Sequence, residues 1–188
     1  MTTARARDGA ADLAALGIVV TALVLLAARP LMTSLAGTTR AASFAMVFAS
    51  VGVASLVVPV RRGRGRLNPL LVLAIGLGAI VAGMRAAGAA PPLPVATWTV
   101  PLSVLAAVAE EALFRRLAYA ELARVSVALA VGGSALLFAL VHLPLYGAAS
   151  FPLDLGAGLL LSWQRWASGA WTVPAATHVV ANLLAVIR

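Results

Sequence analysis

Apolar runs long enough to cross a bilayer recur along this chain with little between them but arginines, glycines and prolines, and that pattern leaves one broad architecture open. The runs cover residues 13–28, 41–60, 67–84, 99–124, 126–142, 153–166 and 171–187. A membrane-crossing helix needs about 20 predominantly apolar residues. The chain is 62% hydrophobic and 11% charged, whereas an ordinary soluble domain carries about 25% charged residues. Too few polar side chains exist to shield a core from water, so lipid is the solvent. The spacing predicts an all-α, polytopic membrane protein of about seven transmembrane helices.

The 14 basic residues are all arginine and stand against 6 acidic ones, for a net charge of +8. They are scattered between the apolar runs, as topogenic loop charges are, and form no phosphate-binding face, so no nucleic-acid partner is expected. The loop "RRGRGR", Arg61 to Arg66, is the densest case. With the N-terminus inside, the inner ends hold Arg5, Arg7, Arg61, Arg62, Arg64, Arg66, Arg115, Arg116, Arg124 and Arg165. The outer ends then hold Arg29, Arg40, Arg85 and Arg188. Ten against four favours a cytoplasmic N-terminus and an outer C-terminus in a multi-pass protein of the cell membrane, with a bacterial inner membrane the expected setting. Asp8 and Asp12 interrupt the flank of the first run and further spans follow, so it is read as an uncleaved helix and not a signal peptide. The chain has no cysteine, which excludes disulfides, thiol catalysis and thiolate-held metal.

A proline-rich stretch, "AAPPLPVATW" from Ala89 to Trp98, predicts an irregular connection. It divides the chain into residues 1–97, with three helices, and residues 98–188, with four. "LPLYGAASFP", Leu143 to Pro152, is expected to be an uncharged loop.

Ionisable residues inside membrane spans are expensive and point to function. Here they are Glu110, Glu111, Arg115, Arg116, Glu121, His142, Asp154, Arg165 and His178, joined by the amide Asn182. Glu111 and Arg115 are i,i+4 and lie within reach of an ion pair. Glu110 and Arg115 lie about 140° apart around a helix of 3.6 residues per turn, so Glu110 is expected to be free of Arg115 and to point elsewhere. Counted from the turn near residue 125, Glu110 is roughly 22 Å back and His142 roughly 26 Å forward at 1.5 Å per residue, a similar depth on two antiparallel helices. Phe138 lies one turn before His142 and would wall the site. His178 and Asn182 are again i,i+4, on the last helix. Singly, a histidine in an apolar helix is often an interhelical hydrogen-bonding group and a Glu–Arg pair a structural lock. Together, three helices offering polar groups at one depth suit a catalytic constellation. Asp154 and Glu121 read as helix-end or interface residues, and Arg116 as a snorkelling or lipid-headgroup residue.

These residues spell three motifs in order: Glu110-Glu111-Ala-Leu-Phe-Arg115 (EExxxR), Phe138-Ala-Leu-Val-His142 (FxxxH) and His178-Val-Val-Ala-Asn182 (HxxxN). In this order on successive spans they resemble the CAAX protease and bacteriocin-processing (CPBP, or Abi) family of intramembrane endopeptidases, which includes the type II CAAX prenyl endopeptidases. The resemblance covers residues 99–187. Arg116 stands where many members have glycine. The resemblance implies a buried active site in which Glu110 and His142 hold and activate water, Glu111 with Arg115 supports the first carboxylate, and His178 and Asn182 form an oxyanion hole. The family has been described both as metalloproteases and as metal-free glutamate proteases. A zinc ion would fall to Glu110, His142 and His178. No HExxH motif is present, and Asn182 suits donation better than ligation, so a metal-free site is favoured.

The implied activity is hydrolysis of a peptide bond near the membrane in a membrane protein or peptide substrate. A non-catalytic bacteriocin-immunity or partner-binding role is the alternative, and a small transporter with a Glu110–Glu111 proton relay a third. The sequence leaves the substrate, its prenylation and the oligomeric state open.

Overall fold

The computed structural model describes residues 2–60, 63–86 and 96–187, with side chains in the first helix from Asp12 onward. Arg61, Arg62, Arg188, the side chains of Arg5 and Arg7, and most of the proline-rich stretch lie outside the described residues. Each apolar run becomes one helix: α1 (Thr2–Ala27), α2 (Gly37–Val57), α3 (Pro69–Ala86), α4 (residues 99–122), α5 (Val127–Tyr146), α6 (Phe151–Ser168) and α7 (Thr172–Val186). Helices α2, α3 and α5 are long and apolar enough to cross a membrane, and Asp12–Ala27 and α7 are shorter apolar helices. The protein is a polytopic all-α membrane protein.

Local chemistry sets the helix ends. Ser126 is extended and its hydroxyl accepts the Leu129 N–H at 3.0 Å, capping α5. Asn68 accepts from the Leu70 N–H at 2.8 Å ahead of Pro69 at the first position of α3. Asp154 sits in the first turn of α6 and accepts from the Ser150 hydroxyl at 2.7 Å. The expected loop 143–152 is helical at every residue but Gly147: α5 runs through Pro144 to Tyr146, Ala148–Ser150 form a 3-10 turn, and α6 begins at Phe151. The stop comes at Gly147, whose φ of 80° breaks the helix where few other residues could.

Lipid-facing and packed faces separate cleanly on α1. Ala15, Val19, Ala22 and Leu26 are buried on one stripe, while Leu13 is 72% and Val24 63% exposed on the other. Small residues let helices touch. A Cβ on Gly158 would come within 2.9 Å of the Ala135 carbonyl oxygen, so α5 and α6 meet at backbone distance, and Ser134 and Ser162 hydroxyls bond across them at 2.9 Å. The N-terminal helices pack against the C-terminal four. Gly52 of α2 lies against Ala109 of α4, and Gly76 of α3 makes room for the Gln164 side chain, whose amide donates to the Val72 carbonyl at 3.0 Å.

Helix α4 is not uniform. It is α-helical over Thr99–Glu111, π-helical over Ala112–Ala118 and α-helical again over Tyr119–Leu122. Such π segments cluster at functional sites because they admit an extra residue without breaking the helix. Arg116, expected among lipid headgroups, instead donates to the carbonyls of Ser55 and, at 2.8 Å, Val58. Those are orphan acceptors at the C-terminal end of α2, where a cation also meets the negative end of the helix dipole.

Candidate active site

Glu110, on α4, is 3% exposed and receives groups from three other parts of the fold. Its Oε2 lies 3.8 Å from His142 Nε2 on α5 and 3.9 Å from His178 Nε2 on α7. Its Oε1 accepts from Arg29 Nη1 at 2.9 Å. Glu111, fully buried beside it, accepts from Arg115 Nη1 at 2.9 Å and faces His178 Nδ1 at 3.0 Å through the same oxygen. Arg115 also donates to the Gly158 carbonyl at 3.1 Å, and its guanidinium lies 4.5 Å from the Phe138 ring centroid. The adjacent carboxylates thus have separate cations and separate tasks. Two unpaired carboxylates this close could not both ionise in so dry a place.

Hydrogen-bond partners settle the imidazoles. His142 Nδ1 is 2.7 Å from the Phe138 carbonyl, which can only accept, so Nδ1 carries a hydrogen, and Nε2 presents a lone pair when the ring carries that hydrogen alone. His178 Nδ1 donates in the same way to Glu111, so its Nε2 can donate only from the doubly protonated ring. Phe138 walls both, with centroids 4.5 Å from His142 and 5.6 Å from His178. Asn182 spends one amide hydrogen on the Ser103 carbonyl at 3.2 Å. The second is left for the cavity.

Glu110 points away from Arg115, yet it is not free. Its counter-charge is Arg29, just past the end of α1, which is 3% exposed. Arg29 is pinned by two further bonds, from Nε to the Leu26 carbonyl at 2.8 Å and from Nη2 to the Val141 carbonyl at 3.3 Å. At the sequence level Arg29 is indistinguishable from a topogenic charge at a span end. The available signal was charge balance: two buried glutamates and one arginine within helical reach leave one carboxylate requiring a distant cation. Arg165, counted among inner-end charges, is also buried, and donates from Nε to the Arg115 carbonyl at 2.9 Å within the π segment.

A cavity of about 370 Å³ opens onto Glu110, His142, His178 and Asn182. Tyr146 lies over His142 at 5.7 Å, nearly parallel, and is 61% exposed at the rim. Glu110, His142 and His178 are the donor types of a zinc site, and outward-bonded Nδ1 atoms are what ligating imidazoles use. The Arg29 guanidinium bonds one Glu110 oxygen, Oε1, and leaves Oε2 facing the two imidazoles.

Residues 92–184 match the family model described as "Type II CAAX prenyl endopeptidase Rce1-like". All six polar motif residues fall inside the match, and Arg29 falls outside it. Comparison with curated proteins and comparison with solved structures each give no match.

Proposed function

We propose, on the premise that this chain belongs through residues 92–184 to the Rce1-like family of type II CAAX prenyl endopeptidases, that it hydrolyses a peptide bond near the membrane by water attack, without a covalent intermediate. The observation that carries this is the pair of acceptors 3.8 Å apart, Glu110 Oε2 and the lone pair of His142 Nε2. One water can donate a hydrogen to each, which turns its own lone pair toward the cavity. As its oxygen bonds to the scissile carbonyl carbon, Glu110 takes the proton, the role of a general base. The carbonyl oxygen becomes an oxyanion beside the second Asn182 N–H and beside His178, whose Nε2 donates when the ring carries both hydrogens. Each such donor contributes about 2.7–4 kcal/mol to the transition state. When the tetrahedral intermediate collapses, the carbon–nitrogen bond breaks and the proton held by Glu110 passes to the leaving nitrogen. Glu111 and Arg115 act through His178 and the helix, as positioning residues.

Arg29 fixes the carboxylate so that Oε2 is the oxygen left for water. Arg29→Ala is expected to lower kcat by about 100-fold with little change in KM, the scale of a misplaced catalytic group. Arg29→Lys, which keeps a charge at shorter reach, should restore part of the loss. Equal losses in both variants would mean that Arg29 holds the fold and not the carboxylate.

The chemistry requires no metal. Purified enzyme treated with excess EDTA or 1,10-phenanthroline should keep its activity within about twofold, since no step passes through a Lewis acid. Inactivation reversed by added zinc would replace the mechanism with one ligated by Glu110, His142 and His178. The arginine distribution supports a cytoplasmic N-terminus.

A further inference from the structure

Helix α6 carries none of the six polar motif residues, yet it grips one of them at two points. Arg115 Nη2 donates to the Gly158 carbonyl at 3.1 Å, and the Arg115 carbonyl accepts from Arg165 Nε at 2.9 Å. Gly158 and Arg165 are two turns apart on one face of α6. The first is held against α5 by the close approach to Ala135. The second is held by the α2–α3 connection. There the N–H groups of Arg66 and Leu67 donate to the Ala167 carbonyl at 2.7 and 3.0 Å. The Gly63 backbone lies so near that a Cβ on it would come 2.5 Å from Arg165 Nη1.

The bond from Arg165 meets a need created by the π segment. In an α-helix the Tyr119 N–H would bond the carbonyl four residues back, that of Arg115. Here it bonds the Phe114 carbonyl, five residues back. The Arg115 carbonyl thereby loses its α-helical donor at a fully buried position, and Arg165 Nε supplies one from another helix. Arg165 is itself 6% exposed. Among the described residues its side chain makes that one hydrogen bond, with the Tyr119 ring centroid 5.1 Å from the guanidinium carbon. A buried cation so sparsely partnered is costly, and the cost is borne at the one turn that carries Arg115.

We propose that Arg165 is a positioning residue of the hydrolytic site, acting on His178 through Arg115 and Glu111. This deepens the hydrolase reading and rests on it for the kinetic consequence, while the structural consequence stands on the bonds alone. By holding the Arg115 carbonyl, Arg165 keeps the π turn open at the residue whose guanidinium holds Glu111. Glu111 Oε1 accepts from Arg115 at 2.9 Å and faces His178 Nδ1 at 3.0 Å, and His178 Nε2 lies 3.9 Å from Glu110 Oε2. Without the donor the turn tightens toward α-helical pairing and Arg115 swings off Glu111. His178 then loses the fixed acceptor that orients its ring. The requirement at position 165 is therefore an N–H at the ε position, and not a charge. A cation serving only the dipole at the end of α6, or the face of Tyr119, has the opposite requirement.

Three substitutions in the full chain separate the two requirements. Glutamine carries an amide nitrogen at the same place along its side chain as arginine Nε, without charge. Lysine keeps the charge but has a methylene there, and methionine supplies neither. Arg165→Gln should keep kcat within about threefold, while Arg165→Lys and Arg165→Met should lose about 10- to 100-fold with KM little changed, as for a misplaced catalytic group. The His178 Nδ1–H resonance is read by proton–nitrogen NMR of histidine-labelled protein and assigned by its loss in His178→Ala. It should persist in the Gln variant and shift or vanish in the other two. Activity that survives in Lys and fails in Gln, or that falls equally in all three, overturns the proposal. So does a His178 resonance unmoved in Lys and Met. Should those two variants fail to fold, Gln alone decides, since loss of its kcat or its resonance refutes the requirement for the donor. If the wild type cleaves no membrane-anchored reporter, the hydrolase reading fails, and the resonance still decides whether Arg165 holds His178.

Discussion

Glu110→Gln should abolish hydrolysis, lowering kcat by about 1,000-fold, while the protein remains folded. A positioned general base contributes typically 10²–10⁴-fold, and glutamine cannot take the proton of the attacking water. The amide oxygen still accepts from Arg29, whose other two bonds go to the Leu26 and Val141 carbonyls, so the buried guanidinium loses its counter-charge but keeps its hydrogen bonds, and stability falls without the fold being lost. His142→Ala should fall by a similar factor, since the second acceptor of the same water is lost. Cleavage of a membrane-anchored reporter in liposomes, read beside thermal unfolding of the same preparations, checks both effects. A Gln variant with full biological effect and no measurable cleavage in either form would favour the non-catalytic immunity or scaffold role.

The second large effect is on stability. Arg115→Met should destabilise the protein by about 3–5 kcal/mol, because it strips the fully buried Glu111 carboxylate of its guanidinium and leaves it only the His178 hydrogen bond. Arg115 and Glu111 are both fully buried, so solvent cannot take the place of the missing partner. The double variant Glu111→Gln/Arg115→Met removes both charges and should recover much of that loss, as buried pairs replaced together are often near neutral. Thermal denaturation of the single and double variants in one detergent gives the coupling. A double variant less stable than either single one would show that the pair is not the unit that matters.

How much of this could be read from residues alone depends on the distance over which each feature is specified. The helices are local: each apolar run became one, and the Ser126 cap marks the start of α5. The Glu111–Arg115 pair is one turn of a single helix, and it persists although the π segment begins between them. The shared depth of Glu110 and His142 followed from one short turn. What escaped was specified across the fold. Arg29 and Glu110 are 81 residues apart, and nothing near Arg29 marks it as buried. Arg116 reaches the end of α2 across a similar gap, so its neighbours in sequence could not disclose the carbonyls it caps. The π segment is invisible to a period of 3.6, because its effect is a local change of that period.

The Arg29–Glu110 bond also bears on biogenesis. The family match begins at residue 92, so the matched segment contains the carboxylate but not its counter-charge. During synthesis Arg29 emerges long before Glu110 and enters the membrane with α1. When α4 follows, its acidic residue meets a guanidinium already in place, and an otherwise prohibitive charge is neutralised on arrival. The buried pair is therefore complete only in the assembled chain, once residues 81 apart in sequence have met.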